Sequence, residues 1–246
     1  MADAAVGALV ALHRGLDRLG PGDDAFSHTV LDGLEGLPPH PDIADLGCGS
    51  GAGALLLARR FHRPVIAVDD QQAFLDDMMA RAAGMGCGSL IEPRCADIAA
   101  PGIAPASLDL VWSEGAAYAI GFARALGAWR PLLRSGGYAV VSELTWFTNA
   151  PPAEPRAYWA DGYPDMGDEA VNRARAEAAG FVVRHVRRLP AVAWQRNYSD
   201  PLGRRLDAAA GDPAYAPIID ECRREADLQR RSGQSFGYAF YVLQAP

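Results

Sequence analysis

The stretch Ala44–Ala54, ADLGCGSGAGA, places four glycines behind a single carboxylate, Asp45. DIADLG (Asp42–Gly47), which leads into it, reads as a buried strand, and ALLLARRF (Ala54–Phe61), which follows it, reads as a helix. A strand turning through Gly47, Gly49 and Gly51 into a helix lets the backbone come close to a ligand, because glycine accepts positive φ and has no Cβ to collide. The glycines alone suit any nucleotide-like cofactor.

Outward from that stretch, strand and helix alternate. PVIAVD (Pro64–Asp69), IEPRCAD (Ile91–Asp97), LDLVWSE (Leu108–Glu114) and GYAVVSELTW (Gly137–Trp146) read as strands, with QAFLDDMMARAAG (Gln72–Gly84) and Ala117–Leu133 as helices. Alternation at about 30 residues per unit predicts a doubly wound, Rossmann-like α/β sheet. Val6, Leu9, Val10, Leu16 and Leu19 recur at helical spacing ahead of the breaker Gly20-Pro21-Gly22, and a second helix is expected near Phe26–Leu34. Beyond Trp146, TNAPPAEP (Thr148–Pro155) reads as a turn-rich connector, Glu169–Ala179 as a helix, and FVVRHVRRL (Phe181–Leu189) and SFGYAFYVLQA (Ser235–Ala245) as the last two strands. The helical stretch between them, Pro201–Arg231, is too long for a hairpin loop. The expected organisation is one domain over residues 1–246: a helical lid (1–40), a cofactor-binding core (41–150), and a C-terminal half (151–246) with a helical insert at 199–232.

The 246 residues are 50% hydrophobic, with no apolar run near the roughly 18 residues of a membrane span. All 23 basic residues are arginine and the net charge is −7, a balance without the basic stripe that a nucleic-acid partner requires. A cytoplasmic chain from a high-GC bacterial genome, with a small-molecule ligand, is the expectation. Cys48, Cys87, Cys95 and Cys222 show no CxxC spacing, and the five histidines form no HxxxH pair, so neither a disulfide framework nor a metal site is indicated.

Three acids at strand ends narrow the ligand. A dinucleotide puts its pyrophosphate at the helix N-terminus, where a further carboxylate is repelled. The methionyl part of S-adenosylmethionine carries an ammonium and a sulfonium, which Asp45 attracts; as an alternative, Asp45 caps the turn. Asp69, 22 residues beyond Gly47, is placed for ribose hydroxyls, and Asp70 beside it joins the cofactor set or starts the next helix in solvent. Asp97 is placed for the adenine amino group with Ile98 against the ring, or else caps its loop.

The order DLGCGSG, VIAVD, RCAD, LDLVWSEGAAY and LLRSGGYAVVSEL resembles class I S-adenosylmethionine-dependent methyltransferases. The likeness continues through SELTWF, GYP (Gly162–Pro164) and FGYAFYV, and is similar to a bacterial small-molecule-type subgroup. It implies a seven-stranded sheet with its last strand, Ser235–Ala245, antiparallel. Ser135 stands where many of that family have proline before Gly-Gly, and DIAAPGI (Asp97–Ile103) lacks the usual Leu-Pro-Phe, which leaves the adenine edge least defined.

Methyl transfer from a sulfonium needs the acceptor held in line and water removed, an effect worth roughly 7–11 kcal/mol. Glu114 is expected to orient the acceptor or take its proton, with His28 and Tyr118 as further catalytic candidates. Ser113 caps the helix beyond it or faces the cofactor. Trp146, Tyr158, Trp194 and Tyr198 are the expected substrate-binding aromatics, with Trp112 and Phe147 as lesser candidates. ECRREADLQRR (Glu221–Arg231) reads as a solvated face, available for a roof or a homodimer contact. The competing functions are an NAD-dependent oxidoreductase, weakened by the lack of any lysine for a Tyr-x-x-x-Lys pair, and a cofactor-binding protein that transfers no methyl group.

Overall fold

The computed structural model describes residues 2–246, with side chains from Val6 onward. The strands are β1 (Ile43–Leu46), β2 (Val65–Asp69), β3 (Ile91–Cys95), β4 (Leu108–Glu114), β5 (Leu133–Trp146), β6 (Val182–Arg188) and β7 (Phe236–Gln244). They form one seven-stranded sheet in the order β3-β2-β1-β4-β5-β7-β6. Strands β1 to β5 pair in parallel, while β7 runs antiparallel between β5 and β6, from Tyr138↔Gln244 to Trp146↔Phe236 on the β5 side. The fold is therefore the Rossmann-like sheet with a reversed last strand that the sequence implies.

Every residue of β1 is buried, as expected for a central parallel strand covered on both faces. The edges are protected differently. β3 carries Glu92, Pro93 and Arg94, and β6 carries Arg184, Arg187 and Arg188, charges and a proline that discourage further pairing.

Helices α1 (Ala2–His13) and α2 (Asp24–Asp32) precede the sheet, and α3 (Ala52–Phe61), α4 (Gln72–Gly84) and α5 (Phe122–Trp129) form crossovers. α6 (Ala153–Gly162) and α7 (Glu169–Ala178) lie between β5 and β6; α8 (Ala191–Trp194), α9 (Asp200–Ala209) and α10 (Ala216–Ser232) lie between β6 and β7. Three boundaries differ from the sequence reading. The first helix stops at His13, and residues 14–23 form a loop. The helix expected over Ala117–Leu133 is interrupted at Gly121, whose φ is +86°, so only Phe122–Trp129 is α-helical. α6 begins inside the supposed connector, since Pro155 falls in its first turn, where no amide donor is needed.

One face of the sheet packs Leu57, Leu75, Met78, Trp112 and Phe240, and the other packs Phe122, Trp129, Val141 and Tyr241. A third, smaller cluster of Leu12, Leu16, Leu202, Leu206 and Ile219 binds α1 to α9 and α10. The N-terminal segment and the β6–β7 insert thus share a core of their own. Among the described residues no helix is long and apolar enough to cross a membrane.

The turn into α3 depends on Gly51, whose φ is +86° and where a Cβ would lie 2.3 Å from Met78 Cγ. Met78 is fully buried and has little room to retreat. Gly51→Ala is expected to lower stability by about 2–4 kcal/mol, from left-handed backbone strain plus overpacking, read by urea denaturation. An unchanged midpoint would show that α3 and α4 can part at no cost.

Candidate active site

The strand order reverses between β1 and β4: the chain leaves β1 toward β2 and β3 and returns on the other side. In doubly wound sheets this divergence opens a crevice at the carboxyl ends of the strands, where ligands bind. A cavity of about 950 Å³ occupies it here. Its floor is the glycine loop, its far wall is the segment after β4, and α1, the loop behind it and α10 overhang it.

Asp45 projects into this cavity from β1 at 2% exposure, and its Oδ2 has no hydrogen-bond partner. Gly53 makes that placement possible, since a Cβ there would lie 2.8 Å from Asp45 Oδ2 and 2.9 Å from Trp112 Cδ1. Burial, and then the charge of Glu114, hold the Asp45 carboxyl well above the usual carboxylate range. A buried acceptor without a donor is costly in an empty protein and welcomes a cationic donor. The ammonium of S-adenosylmethionine is such a donor, and the residues present fit it.

Asp69, at the end of β2, accepts Gly49 N–H on Oδ2 and Gln71 N–H on Oδ1, each at 2.9 Å. Burial raises its carboxyl above the ordinary range, and those two bonds oppose the shift. Asp70 is exposed at the cavity rim and accepts from Gln71 Nε2. Asp97 is fixed by Ala99 N–H at 2.7 Å, and the Ile98 carbonyl accepts Trp129 Nε1–H at 2.8 Å, so the turn after β3 is held from both sides. Gly47, Gly49, Asp69, Asp70, Asp97 and Ile98 all line the cavity, as do Glu114, Tyr118 and Tyr198.

Glu114 differs from its sequence reading. Its Oε2 accepts Arg18 Nη1–H at 2.6 Å, and its Oε1 accepts Trp112 Nε1–H at 2.9 Å and Ser27 Oγ–H at 3.1 Å. Both oxygens are committed, so the carboxylate ties the N-terminal segment to β4. Arg18 also donates to Asp24 at 2.5 Å and is only 8% exposed. Burial works against its charge, but the Glu114 and Asp24 carboxylates hold its pKa above the usual guanidinium value.

Six expected site residues lie outside the cavity. His28 is on the exposed side of α2, with Nδ1 3.4 Å from Arg60 Nη1, because the inward positions of that helix are Ser27, Val30 and Leu31. Ser113 is buried and donates to the Leu46 carbonyl at 2.7 Å, joining β4 to β1. Gly51 faces Met78, not the cavity. Trp194 packs on Tyr238, Trp146 on Phe236 and Tyr158 on Trp159, with ring centroids 5.2, 6.0 and 4.8 Å apart, so these aromatics build core.

Sequence reasoning missed Arg18, His13 and Glu225. His13 is 5% exposed, donates from Nδ1 to the Leu9 carbonyl and meets Tyr198 Oη at 3.2 Å through Nε2; burial lowers its pKa. Glu225 lines the cavity from α10, one turn from Cys222 and one turn before buried Leu228. That three-residue spacing was the available signal, obscured by the surrounding charges.

Residues 43–137 match the family model described as "Methyltransferase domain". The match runs from β1 to the start of β5 and so covers the glycine loop and the strand ends that face the cavity. Over 121 residues it is 32% identical to dimethylglycine N-methyltransferase of Parasynechococcus marenigrum, an alignment covering 49% of this chain and 43% of that protein. The chain spans less than half the length of the curated relatives it matches. The domain shares its fold with the [4+2]-cyclase SpnF (TM-score 0.76, 17% identity, covering 99% of this chain and 93% of that one). It also shares it with Haemonchus contortus phosphoethanolamine N-methyltransferase 2 in complex with phosphomonomethylethanolamine and S-adenosylhomocysteine (TM-score 0.72, 16% identity, covering 98% and 57%). The similar proteins named here lend no support to an NAD-dependent oxidoreductase.

Removing Arg18 would leave Glu114 buried near Asp45 with its cation gone. Arg18→Ala is expected to cost about 3–5 kcal/mol by thermal or urea unfolding, the scale for breaking a buried ion pair. Pairing Arg18→Met with Glu114→Gln should recover most of the loss, and a purely additive double variant would refute the coupling.

Proposed function

We propose that this protein transfers a methyl group from S-adenosylmethionine to a small-molecule nucleophile. The observation that carries the reading is Asp45: a buried carboxylate oxygen without a donor, at the switch point of the sheet, beside the glycine loop. When bound, the cofactor supplies a methyl group on a positively charged sulfur that departs as a neutral thioether.

In this reading Asp45 pairs with the ammonium of the methionyl part, directly or through water, while Gly47 and Gly49 let the backbone approach it. Asp69 accepts the ribose hydroxyls through the lone pairs its two amide donors leave free. Asp97 and the Ile98 backbone meet the adenine edge. Glu114, held by Arg18, keeps the N-terminal segment over the reacting centre and excludes water, a positioning role in place of general-base work. Tyr118 and Tyr198 face the acceptor from the segment after β4 and from the insert. The named activities of similar proteins, dimethylglycine, phosphoethanolamine and geranyl diphosphate methylation, support a small-molecule acceptor. Four free thiols and an arginine-only basic set support a bacterial cytoplasmic setting.

Asp69→Ala removes both ribose bonds. It is expected to weaken S-adenosylhomocysteine binding more than about tenfold in calorimetry, since charge-assisted bonds contribute about 1.5–3 kcal/mol each. The variant also strips Gly49 and Gln71 N–H of their acceptor, so apo stability is expected to fall by about 1–3 kcal/mol and binding is measured well below its midpoint; an unaltered Kd would take Asp69 out of the site.

Asp45 yields a pH dependence whose sign is fixed. Its carboxyl is raised in the fold, so the empty native state binds more protons there than the unfolded chain, and apo stability falls as pH climbs above the usual carboxylate range. An ammonium favours the ionised form. Cofactor binding should therefore release a proton and strengthen with pH until Asp45 is ionised beforehand. Calorimetry of S-adenosylhomocysteine in two buffers of different ionisation heat should show that release in the wild type and lose it in Asp45→Asn. Equal release in both proteins would assign the proton elsewhere.

A further inference from the structure

The cavity is larger than its cofactor half requires. Small-molecule sites run from ~300 to 1,000 Å³, and this one, at about 950 Å³, extends from the ribose acid Asp69 past Glu114 to α10. The far end is where the acceptor must sit, and its chemistry is specific. Tyr118 enters from the segment after β4, Tyr198 from the insert, and Glu221, Cys222 and Glu225 from α10.

Neither acid is in an ion pair among the described residues; the arginines near Glu225, Arg204, Arg223 and Arg230, line a neighbouring cavity and not this one. Arg18 is the one arginine on the wall of this cavity among the described residues, and it is committed to Glu114 and Asp24. His13 is buried with its pKa lowered and Nδ1–H given to Leu9, so it stays neutral and meets Tyr198 through Nε2. Glu225 has no ion-pair or hydrogen-bond partner among the described residues, in contrast to Glu114. Apolar side chains of Val10, Ile120 and Ile218 complete the wall, so the site offers short alkyl contact around the two acids of α10, Glu221 and Glu225, neither of them in an ion pair among the described residues.

Resting on the methyltransferase reading above, we propose that the acceptor is a small aliphatic amine recognised as its ammonium, with Glu225 as the specificity-determining residue and Tyr118 and Tyr198 as its aromatic walls; the nitrogen passes its proton to the Glu225 carboxylate, and the freed lone pair then takes the sulfonium methyl as the thioether leaves. A carboxylate in a largely apolar cavity needs a cation, and tyrosine rings favour one over a neutral isostere of the same shape. Burial, then the Glu221 charge, push the Glu225 carboxyl up to about 7. The empty group thus gains from any ligand that lets it ionise. Glu225 shares the cavity wall with Tyr118, Tyr198 and Cys222. A carboxylate or phosphate-bearing acceptor would meet repulsion at this end unless its anionic group lay elsewhere.

The test is equilibrium binding to the complex with S-adenosylhomocysteine, using 2-dimethylaminoethanol and its uncharged isostere 3-methyl-1-butanol. The amine is expected to bind at least about tenfold more tightly, the range of a charge-assisted contact. Glu225→Gln should abolish that preference while holding S-adenosylhomocysteine affinity within about threefold, which also shows that the variant is folded. Equal affinities for the two probes, no measurable amine binding, or an amine preference that survives in Glu225→Gln would each overturn the proposal. Failure of S-adenosylhomocysteine to bind the wild type would instead overturn the methyltransferase reading on which it rests.

Discussion

Carboxylates cannot be buried together without something to answer their charge, and the site is arranged around that constraint. Asp45 and Glu114 end adjacent parallel strands and face one crevice. Glu114 is answered from within the chain, by Arg18, Trp112 and Ser27. Asp45 keeps an oxygen without a donor. The first arrangement fastens the N-terminal segment in place and the second leaves a position for a ligand. Both follow from the strand order, because only at the β1/β4 junction do two connections leave on opposite sides and let two strand-end acids face the same space.

The helices over the sheet are joined to it sparingly. Leu12 and Leu16 share a cluster with Leu202, Leu206 and Ile219, separate from the two main cores. Polar clasps then fix this layer: Arg14 on Asp77, Arg81 on the Ser50 carbonyl and Asp17, and Arg18 on Glu114. Since Ser50 belongs to the glycine loop and Asp77 to α4, the layer is pinned to the elements that form the cavity floor.

The sheet was readable in the sequence because each strand is an apolar run bounded by Gly, Pro or a charged turn, as in VIAVD and LDLVWSE. The acids Asp45, Asp69 and Asp97 were placeable for the same reason, since they fall at strand ends, and all three line one cavity. Gly51, Ser113 and Trp194 show where this reasoning stops. A glycine, a serine and a tryptophan near a site serve either the ligand or the packing, and here a Met78 contact, a bond to the Leu46 carbonyl and a tilted ring contact with Tyr238 take them for packing. His28 was misplaced by the unknown rotation of α2, where its neighbour Ser27 faces inward. Arg18 was hidden because its partner Glu114 is 96 residues away, and Glu225 because only the shape of the cavity separates it from the charged residues around it on α10. No local pattern reports Arg18, and the three-residue spacing that marks Glu225 is masked by its neighbours' charges.

The arginine clasps respond unequally to salt. Arg14 and Arg81 pair with Asp77 and Asp17 at the margin, where side chains are 50% and 91% exposed on one partner, so added ions screen them. Arg18 and Glu114 are 8% and 10% exposed and feel little of that screening. Rising ionic strength therefore loosens the rim of the overhanging layer while its centre stays fastened, turning a rigid cover into one that breathes at its edges. A guanidinium holds its charge at any physiological pH, so in that range these clasps answer to salt and not to acidity.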